Sequence, residues 1–252
     1  MIKSFLAELE RLVIPMECPG CGLRDVKLCD NCAAWLCGPL RRVEHQVPRL
    51  DDLTGACPMP VWALGDYTEA ARGMVVAWKD KGREDLTNIY RHSLVTALTH
   101  TRQTELFPQV DLVIPMPSSG LSVRHRGRDH LQSVSQGIGH ALGVKSARAL
   151  TKRTSRDQVG LSARDRGGAK ISIRRATNLP KGKRVLLFDD VVTTGATLAA
   201  ARDALADIGQ EVVGAVVLAA TPPRQKIEQK QSMDNESVRY RKMSPVGTRL
   251  GL

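Results

Sequence analysis

The chain has 252 residues, 42% apolar and 25% charged, which is enough for a proper core and excludes wholesale disorder. Aromatic residues make up only 4%, so a stacking platform for single-stranded nucleic acid would be hard to assemble. Lys plus Arg outnumber Asp plus Glu by 37 to 26, and a net charge of +11 attracts polyanions such as phosphates, nucleotides or nucleic acid. The excess is uneven, since residues 121–170 hold eleven Lys/Arg against Asp129, Asp157 and Asp165. No run of eighteen apolar residues occurs, so no membrane insertion is expected. Glu8 and Glu10 interrupt the apolar stretch that a secretory signal would need, and the expectation is a cytoplasmic protein.

Phe5, Leu6, Leu9, Leu12 and Val13 recur at helical spacing over residues 2–13, with Ser4 as cap and Pro15 as stop. A cysteine cluster follows at 18–37, then a connector rich in Pro and charge at 38–60. Strands and helices then alternate. Val61–Leu64 reads as a strand, and Thr68 as the cap of a helix burying Ala71, Met74, Val75 and Trp78. A second helix covers 84–100, Val110–Ile114 is a strand closed by Pro115 and Pro117, and Asp129–Leu142 is helical. Arg184–Asp189 is an apolar strand, Ala196–Ile208 the helix after it, and Glu211–Ala219 another strand. Continuous apolar strands separated by helices predict an α/β fold, a mostly parallel sheet with helices on both faces. Ligands of such sheets sit beyond the carboxyl ends of the strands. Residues 222–252 lose periodicity and read as a disordered basic tail, which divides the chain into 1–60, 61–221 and 222–252.

Cys18-Pro19-Gly20-Cys21 and Cys29-Asp30-Asn31-Cys32 are two Cys-x-x-Cys pairs. Each presents two thiolates on a tight turn, and two such knuckles together suit a tetrahedral zinc ion. A disulfide framework is disfavoured in a cytoplasmic chain, and no strand–helix context frames a redox pair. The zinc would be structural, because a small, zinc-ribbon-like module has little core of its own. Cys37 and Cys57 read as small buried residues rather than ligands or nucleophiles.

The most informative segment is Val185–Thr197, an apolar strand running into Asp189 and Asp190, then Thr193, Thr194, Gly195, Ala196 and Thr197, then a helix. The hydroxyls, a backbone free to curl at Gly195 and the helix N-terminus together make a cup for a phosphate monoester. Successive strand side chains point to opposite faces, so the two acids can bracket a sugar, accepting its hydroxyls directly or through Mg²⁺. Neither a Walker loop nor a Gly-x-Gly-x-x-Gly fingerprint is present.

This segment resembles the 5-phosphoribosyl 1-pyrophosphate (PRPP) motif of type I phosphoribosyltransferases. The resemblance implies that Asp189 and Asp190 hold the ribose hydroxyls and that Thr193, Thr194, Gly195 and Thr197 hold the 5′-phosphate. It also implies a pyrophosphate loop at Met116, Pro117, Ser118 and Ser119, often with a non-proline cis peptide, although Pro-x-Pro is equally a strand terminator. Arg124-His125-Arg126-Gly127-Arg128 reads either as a diphosphate site led by Arg126 or as a solvated basic turn. Residues 152–162 read either as a catalytic lid or as a mobile surface loop.

From about residue 9 to 221 the chain resembles the ComF family of phosphoribosyltransferase-like proteins. The resemblance is carried by Leu12-x-x-Pro15, the cysteine pairs, Lys79-x-x-Gly82, Pro115-x-Pro117, Arg126-Gly127, Gln158-x-x-Leu161 and the PRPP motif. That family joins a four-cysteine zinc module to a type I phosphoribosyltransferase domain. The functions implied are PRPP/Mg²⁺ binding with transfer to a nitrogen nucleophile, or handling of single-stranded DNA alongside competence proteins, or PRPP sensing without turnover.

Overall fold

The structure is a computed structural model and describes residues 16–50, 59–104, 107–118, 129–152, 171–175 and 177–222. The helix expected over 2–13, Cys57, Arg126, nearly all of the 152–162 segment and the tail beyond residue 222 lie outside the described residues.

Five helices are described: α1 (Asp30–Ala34), α2 (Glu69–Asp80), α3 (Asp85–Thr104), α4 (His130–Leu142) and α5 (Ala196–Ala206). The main sheet uses β1 (Arg41–Arg42), β2 (Val61–Asp66), β3 (Leu112–Pro115), β4 (Lys145–Ser146), β7 (Arg184–Val192) and β8 (Glu211–Ala220), in the order β1-β2-β8-β7-β3-β4. Every pairing in it is parallel except that of β1 with β2. A separate antiparallel pair joins β5 (Leu150–Lys152) to β6 (Ile171–Ile173), flanking the segment read as a lid. Among the described residues, no helix is long and apolar enough to cross a membrane.

The central strand β7 shows why the sheet needs cover on both faces. Leu186 and Phe188 pack into a core shared with Met74 and Trp78 of α2, Leu94 of α3 and Val134 of α4. Val185 and Leu187 point the other way, into a core with Leu198, Ala201 and Leu205 of α5. Thr68 caps α2 by accepting a hydrogen bond from the Ala71 N–H at 3.3 Å, and the four expected inward residues are buried. Asp129 caps α4 in the same way, accepting from Gln132 N–H.

Several boundaries differ from the sequence reading; β2 runs on to Asp66 and α3 to Thr104. Strand β7 continues past Asp189 to Val192, because Asp189, Val191 and Val192 pair with Val217, Ala219 and Ala220 of β8. Strand β3 starts only at Leu112, which pairs with Val185, and the Asp111 carboxylate closes the end of the ladder by accepting the Arg184 N–H at 3.0 Å. Helix α5 stops at Ala206, two residues short of the expected Ile208.

The stretch read as a connector also contributes to the interior, with Leu40, Val43, Val47, Leu50 and Met59 all buried. The cysteine segment rests on α2. A Cβ on Gly73 would stand 2.3 Å from the Pro19 carbonyl oxygen, so only glycine lets the two backbones approach this closely. Arg83 reinforces the contact, donating to the Glu17 carbonyl at 3.2 Å and to the Lys27 carbonyl at 2.6 Å. Cys37 is exposed rather than buried, because it lies just beyond α1, with its thiol donating to the Ala33 carbonyl at 3.5 Å.

Candidate functional site

The four sulfurs of Cys18, Cys21, Cys29 and Cys32 lie within 4.8 Å of one another. Cys29 stands 3.7 Å from Cys18 and 3.6 Å from Cys21. Four sulfurs at the usual zinc–sulfur distance on tetrahedral corners would be spaced by about 3.8 Å, so these thiols fit such an ion. Local geometry brings them there. The Gly22 N–H returns to the Cys18 carbonyl and the Cys18 N–H to the Leu23 carbonyl, both at 2.8 Å, which closes the first knuckle. The second knuckle begins α1, with Cys29 at the cap and Cys32 one turn later. Burial opposes ionisation of Cys18, but hydrogen bonds from the Cys29, Cys21 and Gly20 amides outweigh it and hold the thiol at about 6. Burial pushes the Cys32 thiol up, and the neighbouring Cys29 thiol adds to that. Among the described residues these cysteines form no disulfide.

The strand β7 to helix α5 junction brings the predicted sugar and phosphate residues into one turn. Asp189 is half-buried, and its Oδ1 accepts from the Asp190 N–H at 2.9 Å. Burial, with the Asp190 charge second, pushes the Asp189 carboxyl up to about 7, while Lys79 and Lys152 pull it down. Asp190 takes the opposite face of the strand, is buried, and its Oδ2 is ion-paired with the Lys79 ammonium from the last turn of α2. Thr193 and Thr194 are exposed, and Ala196 and Thr197 half-buried. Gly195 is the cap residue of α5, with φ of +81°. A Cβ there would lie 2.3 Å from Val47 Cγ1 and 2.9 Å from Leu50 Cγ, so glycine is required both by conformation and by space. The Arg49 N–H donates to the Thr194 carbonyl at 3.0 Å and ties residues 47–50 to the turn.

The expected pyrophosphate loop lies on the adjacent strand, where Pro115 pairs with Phe188. Its donors are fewer than the sequence suggested. The Met116 N–H is taken by the Phe188 carbonyl at 2.7 Å, which prolongs the β3–β7 ladder, and Pro117 has no N–H. Half-buried Ser118 therefore carries the remaining N–H and hydroxyl of these three residues. No cis peptide bond occurs among the described residues.

Two contacts at this site escaped the sequence reading. Lys79 stood in a recognised Lys-x-x-Gly pattern without an assigned role, and residues 47–50 were read only as connector. The one available signal was the lysine itself, placed at the end of a helix whose other face is apolar.

Comparison with known proteins identifies the family. Residues 105–244 match the profile of the Phosphoribosyl transferase domain family. The chain belongs to this family. It is similar to competence protein F of Haemophilus influenzae, 24% identical over 212 residues that cover 78% of this chain and 86% of that one. It is also similar to an orotate phosphoribosyltransferase of Desulforamulus reducens, 30% identical over 149 residues, or 54% of this chain and 74% of the other. Among solved structures, adenine phosphoribosyltransferase of Saccharomyces cerevisiae aligns with a TM-score of 0.38 at 14% identity, covering 76% of this chain and 90% of that one. Phosphoribosyltransferase membership thus covers β3, β7, α5 and β8, the elements that build the turn.

The demand for glycine at the turn gives a direct test. Gly195→Ala combines a left-handed alanine with an overpacked contact, and should cost about 2–4 kcal/mol of stability, read as a lowered denaturant midpoint. An unchanged midpoint would show that Val47 and Leu50 are not fixed against the turn.

Proposed function

We propose that this phosphoribosyltransferase-family chain binds PRPP or another 5-phosphorylated ribose at the carboxyl end of β7 and transfers the phosphoribosyl group to a nitrogen nucleophile. The observation that carries the reading is one strand-to-helix turn in which Asp189 and Asp190 precede Thr193, Thr194 and a left-handed Gly195 at the start of α5. The amides and hydroxyls of that turn suit the 5′-phosphate, and the carboxylates beside it suit the ribose hydroxyls. Ser118 and Arg126 are the proposed donors to the diphosphate. The anomeric carbon loses its bond to the diphosphate oxygen and gains one to nitrogen, which gives up a proton. Positioning and stabilisation of the leaving charge supply most of the acceleration. Asp189 and Asp190 would hold the Mg²⁺ that accompanies the substrate, and the ion would neutralise part of that charge.

The cysteine cluster is assigned a structural zinc ion, in a cytoplasmic setting where thiols stay reduced. Residues 61–221 are assigned the phosphoribosyl chemistry, 1–60 the cysteine module with its connector, and 222–252 a separate tail.

Similarity to competence protein F favours a second reading, in which the same basic chain handles single-stranded DNA through phosphate contacts.

Four measurements check these assignments. Incubation with PRPP, Mg²⁺ and a panel of nucleobases and amines should release pyrophosphate, whereas PRPP binding without release would mark a sensor. Asp189→Asn with Asp190→Asn should abolish PRPP binding, and unchanged affinity in that double variant would remove the assignment. The purified protein should carry one equivalent of zinc that is lost in Cys18→Ser with Cys29→Ser, and a metal-free wild type would refute the structural ion. Single-strand affinity should fall steeply between low and physiological salt if the second reading holds, and no binding at low ionic strength would dismiss it.

A further inference from the structure

We propose that Lys79 is a positioning residue for the ribose-hydroxyl subsite, acting through the Asp190 carboxylate. The inference rests on the phosphoribose reading above and adds to it a residue from outside the PRPP motif.

Asp190 lies in β7 between two residues paired with β8, and its side chain is only 7% exposed. A carboxylate so placed is stable as an anion only beside a cation. Lys79 supplies that cation, with its side chain about one-third exposed, at 32%. Without the ammonium, the acid would be neutralised or would turn away, and either change removes an oriented acceptor for a sugar hydroxyl. With Oδ2 held by Lys79, the carboxylate keeps one rotamer and presents Oδ1 to the ligand.

The ammonium is held in place by its helix. Trp78, its neighbour in α2, donates from Nε1 to the Thr87 hydroxyl at 2.8 Å and packs edge-on to Tyr90 and His130. Arg83, four residues on, is clamped to Asp85 at 2.7 and 2.9 Å. Gly73, earlier in the same helix, lies against Pro19 of the cysteine knuckle. Helix α2 is thus braced along its length, and Lys79 projects from that base to the Asp190 carboxylate. A solvated surface lysine would need none of this.

The test separates sugar recognition from phosphate recognition, using the full-length, metal-loaded protein and titration calorimetry with inorganic phosphate and ribose 5-phosphate as probes. Wild type should bind ribose 5-phosphate more tightly than phosphate, the difference measuring the sugar subsite. Lys79→Met should lower ribose 5-phosphate affinity tenfold or more and leave phosphate affinity within twofold. Lys79→Arg should restore most of the loss. Should Lys79→Met fold poorly, Lys79→Met with Asp190→Asn removes both charges from the interior and should fold, again with the sugar preference gone. A preference that survives in either folded Met variant, or an equal fall for both probes, overturns the proposal. Wild type that binds neither ribose 5-phosphate nor PRPP would instead bring down the phosphoribose reading, and this inference with it.

Discussion

Two neighbouring carboxylates inside a paired parallel strand are the constraint around which this molecule is arranged. Strand side chains alternate between faces, so the two acids meet different surroundings. Asp190 faces the layer of α2, α3 and α4 and meets Lys79 there. Asp189 faces the other layer, takes the Asp190 amide and feels the charge of Lys79 and, less strongly, that of Lys152 on β5. An apolar pair at 189 and 190 would pack at lower electrostatic cost.

Much of this was legible in the sequence, for local reasons. Val185–Phe188 and Ala215–Leu218 are continuous apolar runs, which only a strand covered on both faces requires, and both are fully buried. Thr68 announced its helix through cap chemistry that operates over three residues. The cysteine spacing announced the sulfur cluster because each knuckle closes on itself. What stayed hidden depends on partners far away in the chain. Lys79 and Asp190, Arg49 and Thr194, and Val47 against Gly195 are joined only by the finished fold. The extension of β7 to Val192 is set by its neighbour β8, and no residue within 184–192 encodes it alone. Met116 was misjudged as a donor for the same reason, since its amide is claimed by a strand some seventy residues later.

The cysteine segment shares an interior with the sheet. Cys18, Cys32 and Leu36 pack in the same core as Trp78 and Phe188. A thiol cluster of this kind usually supplies cohesion to a module too small to provide its own. Here the cohesion extends outward, because the knuckle leans on α2 and α2 leans on the strand tip. The polar stretch after it behaves similarly. Its prolines and charges suggested a connector, yet Val47 and Leu50 turn inward and cover Gly195.

The parallel pairing of Val61 with Ala215 and of Asp66 with Ala220 has a consequence for the nascent chain. Strand β2 is made early, but its parallel partner leaves the ribosome only near the end of the described chain. Until then the hydrophobic residues of β2 have only the two-residue β1 beside them. Closure of the sheet is a late, non-local event with a large loop entropy, and such topologies assemble slowly. Until β8 is made, the strand that carries Trp62 and Leu64 has an edge without its parallel partner.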